Sequence, residues 1–546
     1  MRIAIAQNNY KVGAVEDNTD RIIKSIQEAE KQGVDVVVFS ELCVCGYPPY
    51  DLLEHDAFIA ACSEAIHTIA RHTHQVAAII GAPEFNKNPK GKKLFNTLYL
   101  IHQGEVKHHS YKALLPDYDV FDECRFFEPA DAFRTCIFKG KTLALTICED
   151  LWNIGNEGLY KHNPMEVLAS QRPDIIINIA ASPFDYEQHK KRYDILKANV
   201  EKYRVPLVYV NQVGAQTDLI FDGTSLFFDA QGKVAEMCCS FDEDFKVFDA
   251  FEISKTCHHR VVPKIELIHD ALVFGIKDYF AKTGLQKAVI GLSGGIDSAL
   301  SYALTVKALG ADNVKGILMP SPYSSVHSVE DAVSLVESVN GCYELIPIDA
   351  AYKVVKKSLK EVFKNTTFDI TEENIQARLR AVYIMAYANK FGHMLINTSN
   401  KSEAAVGYGT LYGDMCGGLA VLADVYKKEV YQLAHFINRE QEIIPKHSIT
   451  KPPSAELRPD QKDSDSLPDY EQLDEILFWH IEKQLDASKI ISKGFPKDVV
   501  VKVLKLVYSS EFKRYQSAPL LRVSPKAFGC GRKLPIVASY NNIIKL

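Results

Sequence analysis

Two of the most apolar stretches of the chain, VDVVVF (34–39) and DIIINIA (174–180), carry β-branched residues at successive rather than alternate positions. A strand with one wetted face alternates apolar and polar residues, whereas an unbroken run belongs to a strand covered on both faces. Such strands need layers above and below them, which restricts the chain to a layered α/β architecture. RIAIA, VAAIIGA, TLYLI, TLALTI, PLVYV and TSLFFD continue the rhythm through the first 250 residues. Between them, residues 17–32 set Ile22, Ile23, Ile26 and Ala29 on one helical face. The alternation restarts with KAVIGL, VKGILM, YELIPI and HMLINT, each leading into a helix-like segment, the pattern of a doubly wound parallel sheet. A His-rich, charged stretch separates the two series. We place a first domain at 1–252, a linker at 253–262 and a second domain at 263–546.

Bulk properties exclude several classes of function. The chain of 546 residues is too long for one core. A net charge of -6 speaks against a nucleic-acid binder that relies on a basic field. No run of about 18 apolar residues appears, so no membrane span is expected. The start, MRIAIAQNNY, reads as a strand and not as a secretory signal. Twelve cysteines without a C-x-x-C pair read as reduced thiols of a cytoplasmic protein. The Pro-rich, polar stretch KPPSAELRPDQKDSDSLPDYEQ (451–472) reads as a mobile loop or lid.

The second series opens on VIGLSGGIDSALS (289–301), a strand, a glycine turn and a helix. Gly294 and Gly295 let backbone N–H groups approach an anion, and Ser293, Ser298 and the helix N-terminus add donors. The commonest phosphate loop, G-x-x-x-x-G-K-[ST], carries a lysine that this one lacks. Asp297 stands in the loop instead, where it would repel phosphate unless a metal bridged them, so it reads as a Mg²⁺ ligand. A plain glycine turn with a capping Asp or Ser is the alternative.

The first series carries three strand-end groups. Glu41 follows VDVVVF, Lys112 precedes a loop in YKALLPDYDVFDECRFF, and Cys148 ends the strand of LALTICEDLW. Together they supply a thiol nucleophile, a base to take its proton and a cation to offset oxyanion charge. Taken singly, a strand-end cysteine is more often a buried structural thiol and a strand-end glutamate a surface cap.

SGGxDS resembles the pyrophosphate-binding loop of the N-type ATP pyrophosphatases, which cleave ATP between the α- and β-phosphates. ENIQARLRAVYIMAYANKFG (373–392), LINTSNKSEAAVGYGTLYGDMCGG (395–418), DVYKKEVY (424–431) and KPPSAELRPDQKDSDSLPDY (451–470) resemble the NAD synthetases, and LYGDMCGG resembles their long glutamine-dependent forms. The resemblance implies that Gly291, Ser293, Gly294, Gly295, Asp297, Ser298, Met319 and Thr398 bind ATP. It implies that Asn374, Glu403 and Lys513 contact deamido-NAD⁺, with Glu403 joining Asp297 on Mg²⁺. The first series resembles the nitrilase superfamily, an α-β-β-α sandwich with a Glu-Lys-Cys triad. That resemblance assigns Glu41, Lys112 and Cys148 to the triad and Glu123 to orienting the lysine. It gives Tyr118 and Ser182 to glutamine binding. The basic partner usually falls six residues after the serine, where Gln188 stands, so Lys190 takes that role. The implied protein is an oligomer that uses glutamine, ATP and deamido-NAD⁺, and one chain with both sites favours a sheltered path for ammonia. A GMP synthetase with the same loop and a non-catalytic dinucleotide sensor are the rival readings.

Overall fold

The computed structural model describes residues 1–155, 160–252, 257, 261–459, 461–465 and 467–544. The chain divides into two compact units, Met1–Val261 and Val262–Leu546. Of the expected linker, residues 253–256 and 258–260 lie outside the described residues.

The first unit runs β1 (Arg2–Gln7), α1 (Val15–Lys31), β2 (Val36–Val38), α2 (Asp56–Ala70), β3 (Ala77–Phe85), β4 (Leu94–His102), β5 (Glu105–Tyr111), α3 (Glu123–Phe126), β6 (Cys136–Phe138), β7 (Lys141–Ile147), α4 (Pro164–Ser170), β8 (Ile175–Ala180), α5 (Gln188–Tyr203), β9 (Leu207–Asn211), β10 (Val213–Gln216), β11 (Leu219–Asp222), β12 (Leu226–Phe228), β13 (Val234–Met237) and β14 (Asp244–Asp249). Two six-stranded sheets form, in the orders β14-β1-β2-β3-β4-β5 and β13-β12-β9-β8-β7-β6. Each has a parallel trio at its centre, β1-β2-β3 and β7-β8-β9. One core joins them: Ile3, Val36 and Ile79 of the first sheet pack with Leu145, Ile177 and Val208 of the second. α1 and α2 cover the first sheet's outer face. The unbroken runs VVV and IIINIA lie in these trios and are buried at every position, as strands covered on both sides must be. On α1, Ile22, Ile26 and Ala29 are buried, while Ile23 sits at the edge of the stripe, half-buried. The polar β5 and the hairpin β10–β11 carry no apolar run and escape a reading by periodicity.

The second unit contains α6 (Lys264–Thr283), β15 (Ala288–Gly291), α7 (Ile296–Leu309), β16 (Val314–Leu318), α8 (Val326–Ser338), β17 (Cys342–Leu345), α9 (Asp349–Leu359), α10 (Ile370–Phe391), β18 (Met394–Asn397), α11 (Lys401–Val406), β19 (Leu419–Ala420), α12 (Lys427–Ile437) and α13 (Lys446–Thr450), followed by α14 (Tyr470–Ile481), α15 (Ala487–Ile491), α16 (Lys497–Ser509) and α17 (Glu511–Arg514). Its five strands are parallel in the order β17-β16-β15-β18-β19. The chain moves outward from β15 through β16 to β17, then returns to the other side with β18. The crevice beyond the carboxyl ends of β15 and β18 is therefore the switch point where open α/β sheets bind ligands. The edge strand Cys342–Leu345, where YELIPI begins, is exposed at all four residues, and of that apolar run only Ile348 beyond the strand is buried. The two-residue β19 is too short to leave a pattern.

Two glycines fix the approach of loops to sheets. Gly294 has φ +76°, and a Cβ there would lie 2.2 Å from the Ser328 carbonyl oxygen. Gly81 of β3 lets the loop after β2 cross directly over it, since a Cβ would lie 2.3 Å from the Leu42 nitrogen. Gly81→Ala should therefore destabilise the first unit by about 1–3 kcal/mol, the usual cost of overpacking a filled site. Urea unfolding should show it as a lower midpoint for that unit.

Candidate active sites

In the first unit, β2 ends at Val38 and the chain turns under Glu41, which is fully buried. Glu41 Oε1 accepts from Lys112 Nζ and from Asn96 Nδ2, both at 2.7 Å, and Oε2 accepts from the Ala181 N–H at 3.0 Å. Lys112 Nζ also donates to Glu123 Oε1 at 2.7 Å, which in turn accepts from the Tyr47 hydroxyl at 2.8 Å. Burial works against the Lys112 charge, but the Glu123 and Glu41 carboxylates outweigh it and lift its pKa well above the ordinary value. Burial likewise pushes Glu123 up to about 7, with Lys112 opposing.

Cys148 follows β7 and holds a left-handed backbone, φ +42°, a conformation that costs about 1–3 kcal/mol in a non-glycine residue. Asp150 compensates: its carboxylate accepts from the N–H groups of Ile147, Ala113 and Leu114, at 3.0, 3.0 and 2.9 Å. One buried side chain thus ties the cysteine turn to the residues after Lys112. Burial lifts the Cys148 thiol well above its usual pKa, Glu41 adds to this and Lys112 pulls the other way. The resting group is a thiol, and a base must take its proton as it attacks. Glu41 and Lys112 are thus the two charged groups that act most on the Cys148 thiol.

Beside the cysteine, Glu149 accepts from the Tyr118 and Tyr160 hydroxyls, each at 2.9 Å. No motif in the sequence marks Glu149 or Tyr160 as functional, although Glu149 directly succeeds Cys148. Ser182 is buried, and its N–H donates to Asn211 Oδ1 at 2.8 Å. Lys190 is not brought to this cluster. Its side chain is 86% exposed on α5 and its ammonium lies 3.4 Å from Asp194. The buried cation of that helix is Arg192, paired with Asp222.

In the second unit a cavity of about 320 Å³ opens at the switch point. Gly291, Ser293, Gly295, Asp297 and Ser298 line it from the glycine loop, Met319 from the end of β16, and Thr398 and Glu403 from the segment after β18. Gly294 is turned to the rear, where its carbonyl accepts from Ser448 Oγ at 2.9 Å. Asn374 and Lys513 do not line the cavity. They meet the chain between α11 and β19: Asn374 Oδ1 accepts from Thr410 Oγ1 at 2.8 Å, and Lys513 Nζ donates to the Gly407 and Gly409 carbonyls, both at 2.7 Å.

Lys427, the first residue of α12, is the cation missing from the glycine loop. Its Nζ lies 2.5 Å from Asp297 Oδ2 and 3.7 Å from Glu403 Oε1. Asn400 donates to Asp297 Oδ1 at 2.8 Å and accepts the Glu403 N–H at 2.9 Å, closing a capping box readable in N-K-S-E. Burial, then the nearby Asp297, push Glu403 up to about 8, against the pull of Lys427. Two carboxylates from separate helices converging on one cationic position are a donor set that fits Mg²⁺. The 451–472 segment also reaches the cavity. Lys451, Ser454 and Leu457 line it, and Glu456 Oε1 accepts from Ser328 Oγ at 2.7 Å and Ser325 Oγ at 3.0 Å.

The chain matches the carbon-nitrogen hydrolase family over residues 2–246 and the NAD synthase family over residues 268–517. It is 43% identical over 553 residues to the glutamine-dependent NAD(+) synthetase of Synechocystis sp., covering 99% of each chain. With that of Thermotoga maritima it shares 37% identity over 580 residues, 98% of each. Among solved structures, the glutamine-dependent NAD+ synthetase of Acinetobacter baumannii in complex with adenosine diphosphate is similar with a TM-score of 0.77 and 35% identity, covering 98% of each. The fold is also that of the enzyme from Cytophaga hutchinsonii, with a TM-score of 0.83 at 23% identity over 100% of this chain and 99% of the other.

Glu403 gives the second unit a pH signature. Between its ordinary value of 4.5 and about 8, folded Glu403 keeps a proton that the unfolded chain has released. Stability therefore falls as pH rises through that window. Glu403→Gln should flatten that slope, read as the urea midpoint of the second unit from about pH 5 to about pH 8 without added divalent cation.

Proposed function

The chain belongs to the glutamine-dependent NAD(+) synthetase family, and from that premise we propose that its first unit frees ammonia from glutamine and its second uses it, with ATP, to amidate deamido-NAD⁺. The observation that carries this reading is the joint presence of the Glu41–Lys112–Cys148 cluster and the glycine-loop cavity in one chain.

In the first unit, Glu41 takes the Cys148 proton while Sγ attacks the side-chain amide carbon of glutamine. Lys112 offsets the charge that develops on the amide oxygen. The proton passes from Glu41 to the leaving nitrogen, ammonia departs, and water, deprotonated by Glu41, cleaves the thioester to glutamate. The raised thiol pKa supports a base acting in concert with attack. Glu149, an acceptor already fed by two tyrosine hydroxyls, suits the ammonium group of the amino acid, and Ser182 and Tyr118 complete the contacts.

In the second unit, the backbone of Ser293–Ser298 receives the polyphosphate, with Met319 and Thr398 towards the nucleoside. The nicotinate carboxylate of deamido-NAD⁺ attacks the α-phosphorus, pyrophosphate leaves, and ammonia then displaces AMP from the mixed anhydride. Adenylation is needed because oxide is a poor leaving group. Asp297 and Glu403 would hold Mg²⁺, which when bound offsets polyphosphate charge. Lys427 supplies from α12 the positive charge that the loop lacks. Asn374 and Lys513 hold the chain between α11 and β19 for the dinucleotide.

Ammonia is mostly protonated at neutral pH, so its transfer is sheltered from solvent. A scavenger of ammonia added to the glutamine reaction should leave NAD⁺ yield unchanged. The chain also self-associates in this reading. The unpaired thiols of the described cysteines suit the cytoplasm.

The decisive measurement is NAD⁺ formation from deamido-NAD⁺ and ATP with either nitrogen donor. Cys148→Ala should lower the glutamine-driven rate by more than about a thousandfold and leave the ammonium-driven rate within roughly twofold. Equal loss with both donors contradicts the assignment.

A further inference from the structure

Asn96 stands in β4 between Phe95 and Thr97 and is fully buried. Its Nδ2 donates to Glu41 Oε1 at 2.7 Å, and its main-chain carbonyl accepts the Lys112 N–H at 2.9 Å. One residue therefore touches both the base and the lysine. Its own Oδ1 is buried without a hydrogen-bond partner among the described residues. A buried amide with half its polar capacity unused is costly in a sheet core, where leucine would pack at similar volume. Core packing does not account for it, whereas the N–H on a carboxylate does. The reverse orientation of the amide would set Oδ1 against Glu41 Oε1, so the charge itself fixes the side chain.

The consequence lies in how the two oxygens of Glu41 are shared. Lys112 Nζ and Asn96 Nδ2 both bind Oε1, while Oε2 receives the single N–H of Ala181. Oε2 is left with a lone pair free for a proton. Without Asn96, only the Lys112 ammonium and the Ala181 N–H hold the carboxylate, which is then free to turn both oxygens towards Lys112.

We propose that Asn96 is a positioning residue for the glutaminase step, holding Glu41 so that Oε2 alone is presented to the Cys148 proton. The proposal rests on the reading of Glu41 as the base. It is distinct from the role of Glu123, which binds Lys112 from the other side.

The test uses the full-length chain carrying Asn96→Leu, which removes the N–H at similar size, Asn96→Ser, which keeps a shorter donor, and Glu41→Gln as reference. Three quantities are read: the rate of Cys148 alkylation by iodoacetamide, glutaminase kcat and KM, and ammonium-driven NAD⁺ formation. Asn96→Leu should slow both alkylation and kcat by at least about tenfold, leave the KM for glutamine within roughly twofold, and leave the ammonium-driven rate unchanged. Asn96→Ser should fall between Asn96→Leu and the native chain. Alkylation and kcat within roughly twofold of native, or a change confined to KM, overturns the proposal. If Asn96→Leu does not fold, Asn96→Ser decides alone: losses in both rates support the proposal and native rates overturn it. Glu41→Gln separates the two failures. Native alkylation in that variant removes Glu41 as the base, whereas slow alkylation there with native rates in Asn96→Leu removes only the role of Asn96.

Discussion

The ammonium of Lys112, sealed from water between the carboxylates of Glu41 and Glu123, is the interaction around which the first unit is arranged. Its three members come from the loop after β2, the segment after β5 and the start of α3, so the ion cluster ties the loops of one sheet together. Burying such charges is worthwhile only when each is paired and hydrogen-bonded. The second unit repeats the solution twice with other residues. Lys427 lies between Asp297 and Glu403, and Lys401 between Asp424 and Glu482. In each case one buried lysine joins two acids from different elements. Lys401 is the structural instance: its ammonium also reaches Ser524 Oγ and the Lys526 carbonyl, fastening the C-terminal segment beneath the helix that carries Glu403.

The two halves use opposite strategies towards their reacting charge. Around Cys148, burial favours the neutral thiol, which a left-handed backbone held by Asp150 carries. Around the glycine loop, the Asp297 carboxylate and the Lys427 ammonium are already paired in the wall of a cavity, with Glu403 beside them. The first arrangement guards a thiol from idle reaction; the second prepares a site for a highly charged ligand.

Local signals are readable in the sequence, and long-range ones are not. The doubled runs VVVF and IIINIA locate the central strands because burial on both faces leaves a mark on every position. Cys148 stands out because it follows a buried strand, and Asp297 because it opens a helix directly after a glycine turn. Lys427 carries no such mark: a lysine at the start of an amphipathic helix is ordinarily solvated, and only tertiary folding carries it to Asp297. Asn96 is hidden for the same reason, since nothing local in LFNTLYLIH sets it apart from Thr97 beside it. Lys190 shows the reverse case. Counting residues from Ser182 finds a cation in sequence, but α5 turns it to solvent. The exposed YELIPI strand shows that an apolar run at a sheet edge reads like one at its centre.

The pairing of β1 with β14 has a consequence for how such chains come to exist. The first strand of the unit lies hydrogen-bonded beside its last, in register from Arg2 opposite Asp249 to Gln7 opposite Asp244. The polypeptide leaves the sandwich where it entered, with its sheet already complete. Nothing in that topology requires a second unit, so an ammonia-releasing module of this shape can be joined in a gene to any downstream synthetase, or separated from it, without rethreading a strand.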